Sequence, residues 1–266
     1  MTYEAILHEV HEGVATITLN RSESRNALNG AMYRELKQVF AEISQTPHVR
    51  AVVLTGAGKG FCSGQDLGEL NALVAQGMTV GDMLRANLNQ LVLNIRALEK
   101  PVIGALNGVA AGAGASLALA TDLRIASQEA SFVFAAFVNI GIIPDGGGTY
   151  LLPHLVGASK ALELAWLADA QHRVSAQDAL ALGLVNRVVT HDSLLAEAQT
   201  LAQRLASMAT LALGKTKRAI YNALETTLEN ALEHEASVQE RMFQTHDFSE
   251  GVRAFLEKRP AQFKGE

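Results

Sequence analysis

The sequence predicts an α/β fold with a helical C-terminal region, on three observations. Short apolar runs that read as strands alternate with segments of helical period from Ala5 to Val189. Gly-rich turns follow three of those strands, at 56–67, 107–115 and 139–148. From about Asp192 to Leu256 the chain reads as a run of helices. A change of composition near Thr190, with no linker, divides it into 1–190 and 191–266.

In order, Ala5–Val10 and Val14–Leu19 flank His11-Glu12-Gly13 and predict a β-hairpin. Asn20–Asn29 is a polar loop. Asn29 is positioned to cap a helix over Ala31–Ile43, whose apolar residues Met32, Leu36, Val39, Phe40 and Ile43 share one face. Val49–Thr55 is a strand, Gly68–Gly77 a loop or weak helix, and Val80–Leu98 one helix stopped by Pro101. Val102–Leu106 is a buried strand. It turns at Asn107-Gly108 into the small residues Ala110–Ala115 and an apolar helix through Leu119. Leu123–Ala126 and Ser131–Phe134 are short strands. Helices follow from Thr149, with a break at Pro153, then over Ala158–Leu167 and from a Ser175 cap to Leu182; Leu184–Val189 is the last strand.

The 266 residues are 48% hydrophobic and 18% charged, enough to bury a large core, with part of the Leu and Ala content available for an oligomer interface. The net charge of -5 speaks against nucleic acid as a principal partner. One cysteine, Cys62, excludes an internal disulfide and a multi-cysteine metal site. Met1–Val10 carries Glu4, His8 and Glu9 and no apolar run, and no apolar stretch is long enough to span a bilayer. A cytoplasmic protein with no membrane partner is expected.

Several motifs fail on inspection. Gly56-Ala-Gly-Lys-Gly lacks the spacing of a phosphate loop and of a dinucleotide fingerprint. Neither Ser63 nor Ser116 sits in a nucleophile elbow. Cys62 beside Phe61 reads as a small buried apolar residue, and the eight histidines show no metal-ligand spacing, so no metal is expected. Two readings remain open for the Gly/Ala-rich stretch from Asn107: a tight strand–helix junction, or helix-terminal amides left open to an anion. Asp145, after Ile142-Ile143-Pro144 and before three glycines, is either a helix cap or a desolvated carboxylate able to move protons near neutral pH. Asp66 and Asp122 read as turn and helix-end residues.

Taken together, Phe61-Cys-Ser-Gly-Gln-Asp-Leu67, Asn107-Gly-Val-Ala-Ala-Gly-Ala-Gly-Ala-Ser-Leu117 and Gly141-Ile-Ile-Pro-Asp-Gly-Gly-Gly-Thr149 resemble the crotonase (enoyl-CoA hydratase/isomerase) superfamily. Asn26-Ala-Leu-Asn29, Ser175-Ala-Gln-Asp-Ala-Leu-Ala-Leu-Gly-Leu-Val185 and Phe255-Leu-Glu-Lys-Arg-Pro260 extend the resemblance over essentially the whole chain. Ser22 departs from it, where proline is usual after Asn-Arg.

The resemblance implies a spiral of ββα units with a helical C-terminal trimerisation region, as homotrimers or dimers of trimers. It implies an acyl-CoA thioester substrate and no separate cofactor, coenzyme A being part of the substrate. Two backbone N–H groups form an oxyanion hole for the thioester enolate, falling here on Gln65 and Ala113. Arg25, Ala27, Ser63, Gln65, Asp66, Leu67, Gly112 and Phe137 are implied at the CoA-ester site, with Lys258 or Lys264, from the same or a neighbouring subunit, for the phosphates. The two glutamates of the family's hydratases are matched by Ser116 and Phe137. Asp145 matches the aspartate of related isomerases and dehalogenases, and is expected to be the catalytic residue. Within the family the chain looks most like the group that isomerises the ring epoxide of phenylacetyl-CoA. A Δ3,Δ2-enoyl-CoA isomerase, a hydratase, and a non-catalytic CoA-ester or RNA-binding member are the alternatives.

Overall fold

A computed structural model describes residues 3–266; Met1 and Thr2, which begin the segment read as lacking a leader, lie outside the described residues. The chain opens with the expected hairpin of β1 (Ile6–His11) and β2 (Val14–Leu19), turned through Glu12 and Gly13 at positive φ. Helix α1 (Gly30–Ser44) starts where Asn29 accepts the Met32 N–H at 2.9 Å and buries the predicted face, with Tyr33 added to it. Then follow β3 (Ala51–Gly56), β4 (Gly60–Cys62), α2 (Leu67–Ala75), α3 (Val80–Ala86), α4 (Leu88–Ala97) and β5 (Val102–Leu106). After β6 (Val109–Ala111) and α5 (Ala113–Ala120) come β7 (Leu123–Ser127), β8 (Ser131–Val133), α6 (Gly148–Val156) and α7 (Ala158–Leu167). The chain continues through β9 (Val174–Ser175), α8 (Ala176–Ala181) and β10 (Arg187–Val189). It ends in α9 (Leu194–Ala206), α10 (Thr210–Ala223), α11 (Leu228–Met242) and α12 (His246–Glu257).

The strands form two sheets. One has the order β1-β2-β3-β5-β7-β10 and is parallel beyond the first hairpin; the other has the order β4-β6-β8-β9. Three times the chain makes a strand in the large sheet, a short strand in the small one, and then helix: β3 to β4, β5 to β6, β7 to β8. This repetition is the spiral of ββα units. Both faces of the large sheet are covered, so β3 and β5 read as continuous apolar runs and not as alternating ones. One face packs on α1, α4 and α5. On the other, Leu194, Ala198, Ala202 and Ala206 of α9 cover Val14, Ala51, Val53, Ile103 and Ile125. Thus α9 lies beyond the boundary drawn at 190 yet packs on the sheet.

Three local expectations are corrected and one left open is resolved. Val80–Leu98 is not one helix: it breaks at Asn87 (φ -117°, ψ -88°), between α3 and α4. Pro153 does not break α6 but lies within it; the carbonyl it leaves without a helical donor belongs to Thr149, which is exposed to water. Of the two readings left open for Gly68–Gly77, loop or weak helix, the structure has the helix, capped by Asp66 accepting the Glu69 N–H. The last strand covers only Arg187–Val189 of the predicted Leu184–Val189.

Asp122 joins the helical region to the sheet. Its Oδ2 accepts the Val102 N–H at 2.8 Å and lies 2.9 Å from Lys217 Nζ, while its Oδ1 accepts the Tyr221 hydroxyl at 2.5 Å. The Lys217 side chain is 8% exposed, and its ammonium also donates to the Ile95 carbonyl. Removing one partner of such a pair strands the other in a poor solvent, which costs on the order of 3 kcal/mol. Lys217→Ala is therefore expected to lower the thermal midpoint by several degrees, read by calorimetry.

Candidate active site

The loop 20–29 is held against β4 by Asn26, which is buried and at positive φ. Its Nδ2 donates to the Gly60 carbonyl at 2.8 Å and the Phe61 carbonyl at 3.2 Å. Leu28 then pairs with the turn after β4: its N–H donates to the Gly64 carbonyl and its carbonyl accepts the Asp66 N–H. These two bonds use the residues flanking Gln65. The alternation of extended backbone turns the Gln65 N–H to the opposite side.

The second turn ends β6. The Gly112 N–H donates to the Val133 carbonyl, and Gly112 (φ +51°, ψ -126°) starts α5, leaving the Ala113 N–H at the first helical position. Among the described residues no protein group accepts from the Gln65 or the Ala113 N–H. The two turns touch. A Cβ on Gly64 (φ +98°) would stand 2.8 Å from the Ala111 carbonyl oxygen and 3.3 Å from the Ala113 nitrogen. Two free amides, one at a helix N-terminus, thus open on the same place, where the local dipole favours negative charge.

They face a cavity of about 160 Å³ walled by Tyr33, Leu88, Phe137 and the apolar side chains of α2 and α3, with Asp145 in its wall. Asp145 does not cap α6: Gly147 occupies the cap position, and it is the Asp145 main-chain carbonyl that accepts the Gly148 N–H at 2.9 Å. Its carboxyl Oδ1 is buried without a hydrogen-bond partner, and burial pushes its pKa up to about 6. Phe137 and Ile142 line the cavity, whereas Ile143 is 78% exposed and contributes nothing to it.

Ser116, one turn into α5, donates its hydroxyl to the Asp145 carbonyl at 2.7 Å. It is enclosed: a Cβ on Gly148 would lie 2.9 Å from its Oγ, and one on Gly146 3.1 Å from its Cβ. Ser116→Ala is expected to cost about 1 kcal/mol of stability, because the carbonyl keeps its bond to Gly148. It should lower turnover roughly fivefold by loosening the loop that carries Asp145, in a comparison of kcat and thermal midpoint with the parent.

The other expected residues divide into groups. Ser63, Gln65, Leu67, Gly112 and Phe137 line the cavity with Asp145. Asp66 is engaged elsewhere, capping α2 and pairing with Arg21 at 3.1 Å. Ala27 lies behind the wall, its carbonyl accepting from Arg21. Exposed Arg25 neighbours the site through its carbonyl, which accepts the Ser63 N–H at 2.9 Å. Lys258 and Lys264 do not line the cavity. Lys264 follows Phe263, whose carbonyl accepts from Arg50, just ahead of β3. The cavity instead opens beyond the C-terminal ends of β4 and β6. Cys62 is buried with its thiol pushed up to about 12, so it is no thiolate nucleophile. Tyr33, Glu69 and the α2–α3 wall were missed. Tyr33 lies on the apolar face of α1, and its phenol was the available signal.

A ββα spiral whose adjacent turns leave two amides free beside an apolar cavity has the donors to hold an oxygen on which negative charge develops. The chain belongs to the enoyl-CoA hydratase/isomerase family, whose model matches residues 9–266, and that family acts on acyl-CoA thioesters. The chain is 43% identical over 263 residues to the 1,2-epoxyphenylacetyl-CoA isomerase of Escherichia coli (strain K12), covering 98% of this chain and 99% of that one. It is 38% identical over 264 residues to the crotonyl-CoA hydratase of Syntrophomonas wolfei subsp. wolfei (strain DSM 2245B / Goettingen), covering 99% of each. The crystal structure of the enoyl-CoA hydratase from Bacillus anthracis superposes with a TM-score of 0.91 at 36% identity, covering 99% of this chain and all of that one. The crotonase fold expected from the sequence is the fold of this protein.

Proposed function

We propose that this protein is an acyl-CoA isomerase and that its substrate is 2-(1,2-epoxy-1,2-dihydrophenyl)acetyl-CoA. The observation that carries the reading is a single uncommitted carboxylate, Asp145, in an apolar cavity beside two free amides. The Gln65 and Ala113 N–H groups hold the thioester oxygen as charge develops on it, at no cost of reorganisation. Asp145, ionised at neutral pH yet weakly solvated, takes the proton from the α-carbon. It returns that proton to a ring carbon as the C–C bond shared by the epoxide and the six-membered ring opens to a seven-membered oxepin, so product and substrate are isomers and no water enters the balance. Ser116 and Phe137 stand where a hydratase of the family has glutamates, and neither activates water.

The relative named crotonyl-CoA hydratase favours a second reading, hydration of a short enoyl-CoA. A panel of the ring epoxide thioester, a cis-3-enoyl-CoA and crotonyl-CoA tests both. Fastest turnover of the epoxide supports the proposal; fastest turnover of the cis-3-enoyl-CoA assigns a Δ3,Δ2-enoyl-CoA isomerase; dominant hydration of crotonyl-CoA overturns an isomerase assignment.

Coenzyme A arrives as part of the substrate, and no other cofactor takes part. Arg25 is the nearest expected cation for its phosphates, with Lys258 or Lys264 supplied by a neighbouring subunit. The proposed assembly is a homotrimer or a dimer of trimers, in the cytoplasm. It is supported by an apolar groove of about 1010 Å³ among α10, α11 and α12, where Leu232, Phe243 and Phe255 are exposed in the single chain.

A further inference from the structure

We infer that Tyr33 is a positioning residue for the oxyanion hole, acting through the side chain of Gln65. The inference rests on the reading of Gln65 as a hole donor. Tyr33 stands early in α1, 2% exposed, and its hydroxyl donates to Gln65 Oε1 at 2.7 Å. Both residues line the cavity that contains Asp145. Burial above all holds the phenol well above its usual range, so it stays a protonated donor throughout the working pH.

The bond has a geometrical use. The Gln65 backbone is held from one side only, through Leu28 and the flanking Gly64 and Asp66. Beyond Asp66 the chain enters α2, which buries none of its side chains fully. The Tyr33 tether supplies a second anchor from a different element, since α1 is packed on the sheet through Leu36, Val39 and Phe40. With both anchors in place the Gln65 N–H keeps its aim when the wall formed by α2 moves. A ring meant only to fill space needs no hydroxyl, and a buried hydroxyl needs the acceptor that Gln65 supplies, whereas a wall meant only to hold hydrocarbon needs neither group. Because the tether acts on a donor used most strongly when charge develops, its loss lowers kcat and leaves KM nearly unchanged.

A double-mutant cycle tests this. Tyr33→Phe removes the hydroxyl and keeps the ring; Gln65→Met removes the acceptor and keeps the length and the backbone amide. Each single variant is expected to lose roughly tenfold in kcat with KM within twofold of the parent. The double variant should lose no more than either alone, and none should shift the acid limb of the pH profile. Additive losses, or a rise in KM without a fall in kcat, would assign Tyr33 to packing or acyl selection and overturn the inference. Asp145→Asn is measured alongside. If it retains activity, the enolate reading fails whatever the cycle shows; if it is inactive while the cycle is additive, only the role of Tyr33 fails.

Discussion

Asp145→Asn is expected to reduce isomerase kcat by about 10³-fold while leaving binding of the CoA ester within a fewfold of the parent. A positioned proton carrier contributes roughly 10² to 10⁴ in rate, and the variant keeps the shape of the cavity and both amides. Turnover and calorimetric binding of a non-reactive thioester separate the two effects. The parent should show an acid limb near pH 6, the value to which burial raises Asp145. The sign follows from the role: the base works only when ionised, so kcat/KM falls as pH drops through about 6 and is level above it. The stability effect runs the other way. A carboxyl whose pKa is raised on folding stabilises the fold at pH below its unfolded value near 4. That contribution is lost as pH rises through about 6. At pH 8 the Asn variant should thus be more stable than the parent by on the order of 2 kcal/mol, the gap closing toward pH 4. Near-parental turnover in Asp145→Asn would remove the aspartate from the mechanism.

Gly114→Ala is expected to damage stability and turnover together. Gly114 is the second residue of α5, and a Cβ there would run into the Cys62 carbonyl, with the carbonyl carbon at 2.7 Å and Cys62 Cβ at 2.8 Å. These are backbone and buried side-chain atoms with nowhere to go. The methyl must therefore push α5 from the end of β4, separating the turn that holds Ala113 from the one that holds Gln65. Overpacking of this kind costs typically 1–3 kcal/mol, and a mis-spaced hole donor costs on the order of 10²-fold in rate. Urea unfolding and kcat should fall together, whereas Ser116→Ala, on the same helix, should show only the small effects given above. A Gly114→Ala enzyme with parental kcat would mean that the two turns do not need their present separation.

Elements with a strong local signal were legible from residue order alone. The hairpin, the buried face of α1 with its Asn29 cap, the two-face-buried β3 and β5, and the Ser175 cap of α8 each depend on neighbours within a turn or a strand. The small-sheet strands β4 and β6 escaped notice because three residues carry no readable period. They form only because β4, β6 and β8 meet side by side after long excursions. Asn87 escaped for a related reason: nothing in its own neighbourhood marks a helix break.

At the site, the Gly-rich turns and the lone acid were visible, but not their use. Asp145 as cap and Asp145 as base are the same residue in the same local sequence. Gly147 taking the cap position removes the first reading, and the proposed second one draws its support from Ser116 bonding the Asp145 main chain and from walls contributed by α4, α5 and the segment before α6. Desolvation is a property of everything around a group, so no local pattern encodes it. The sequence by itself determined the α/β architecture, the family and the places where backbone must come close, since glycines, caps and periodicity act through nearest neighbours. Only the tertiary structure decided that the Gln65 and Ala113 amides, named already by resemblance, find no protein acceptor among the described residues, that Asp66 is spent on Arg21, and that Tyr33 reaches Gln65. Each of these depends on atoms brought together from tens of residues apart, where the close approach of two chains, and not the preference of either, sets the outcome.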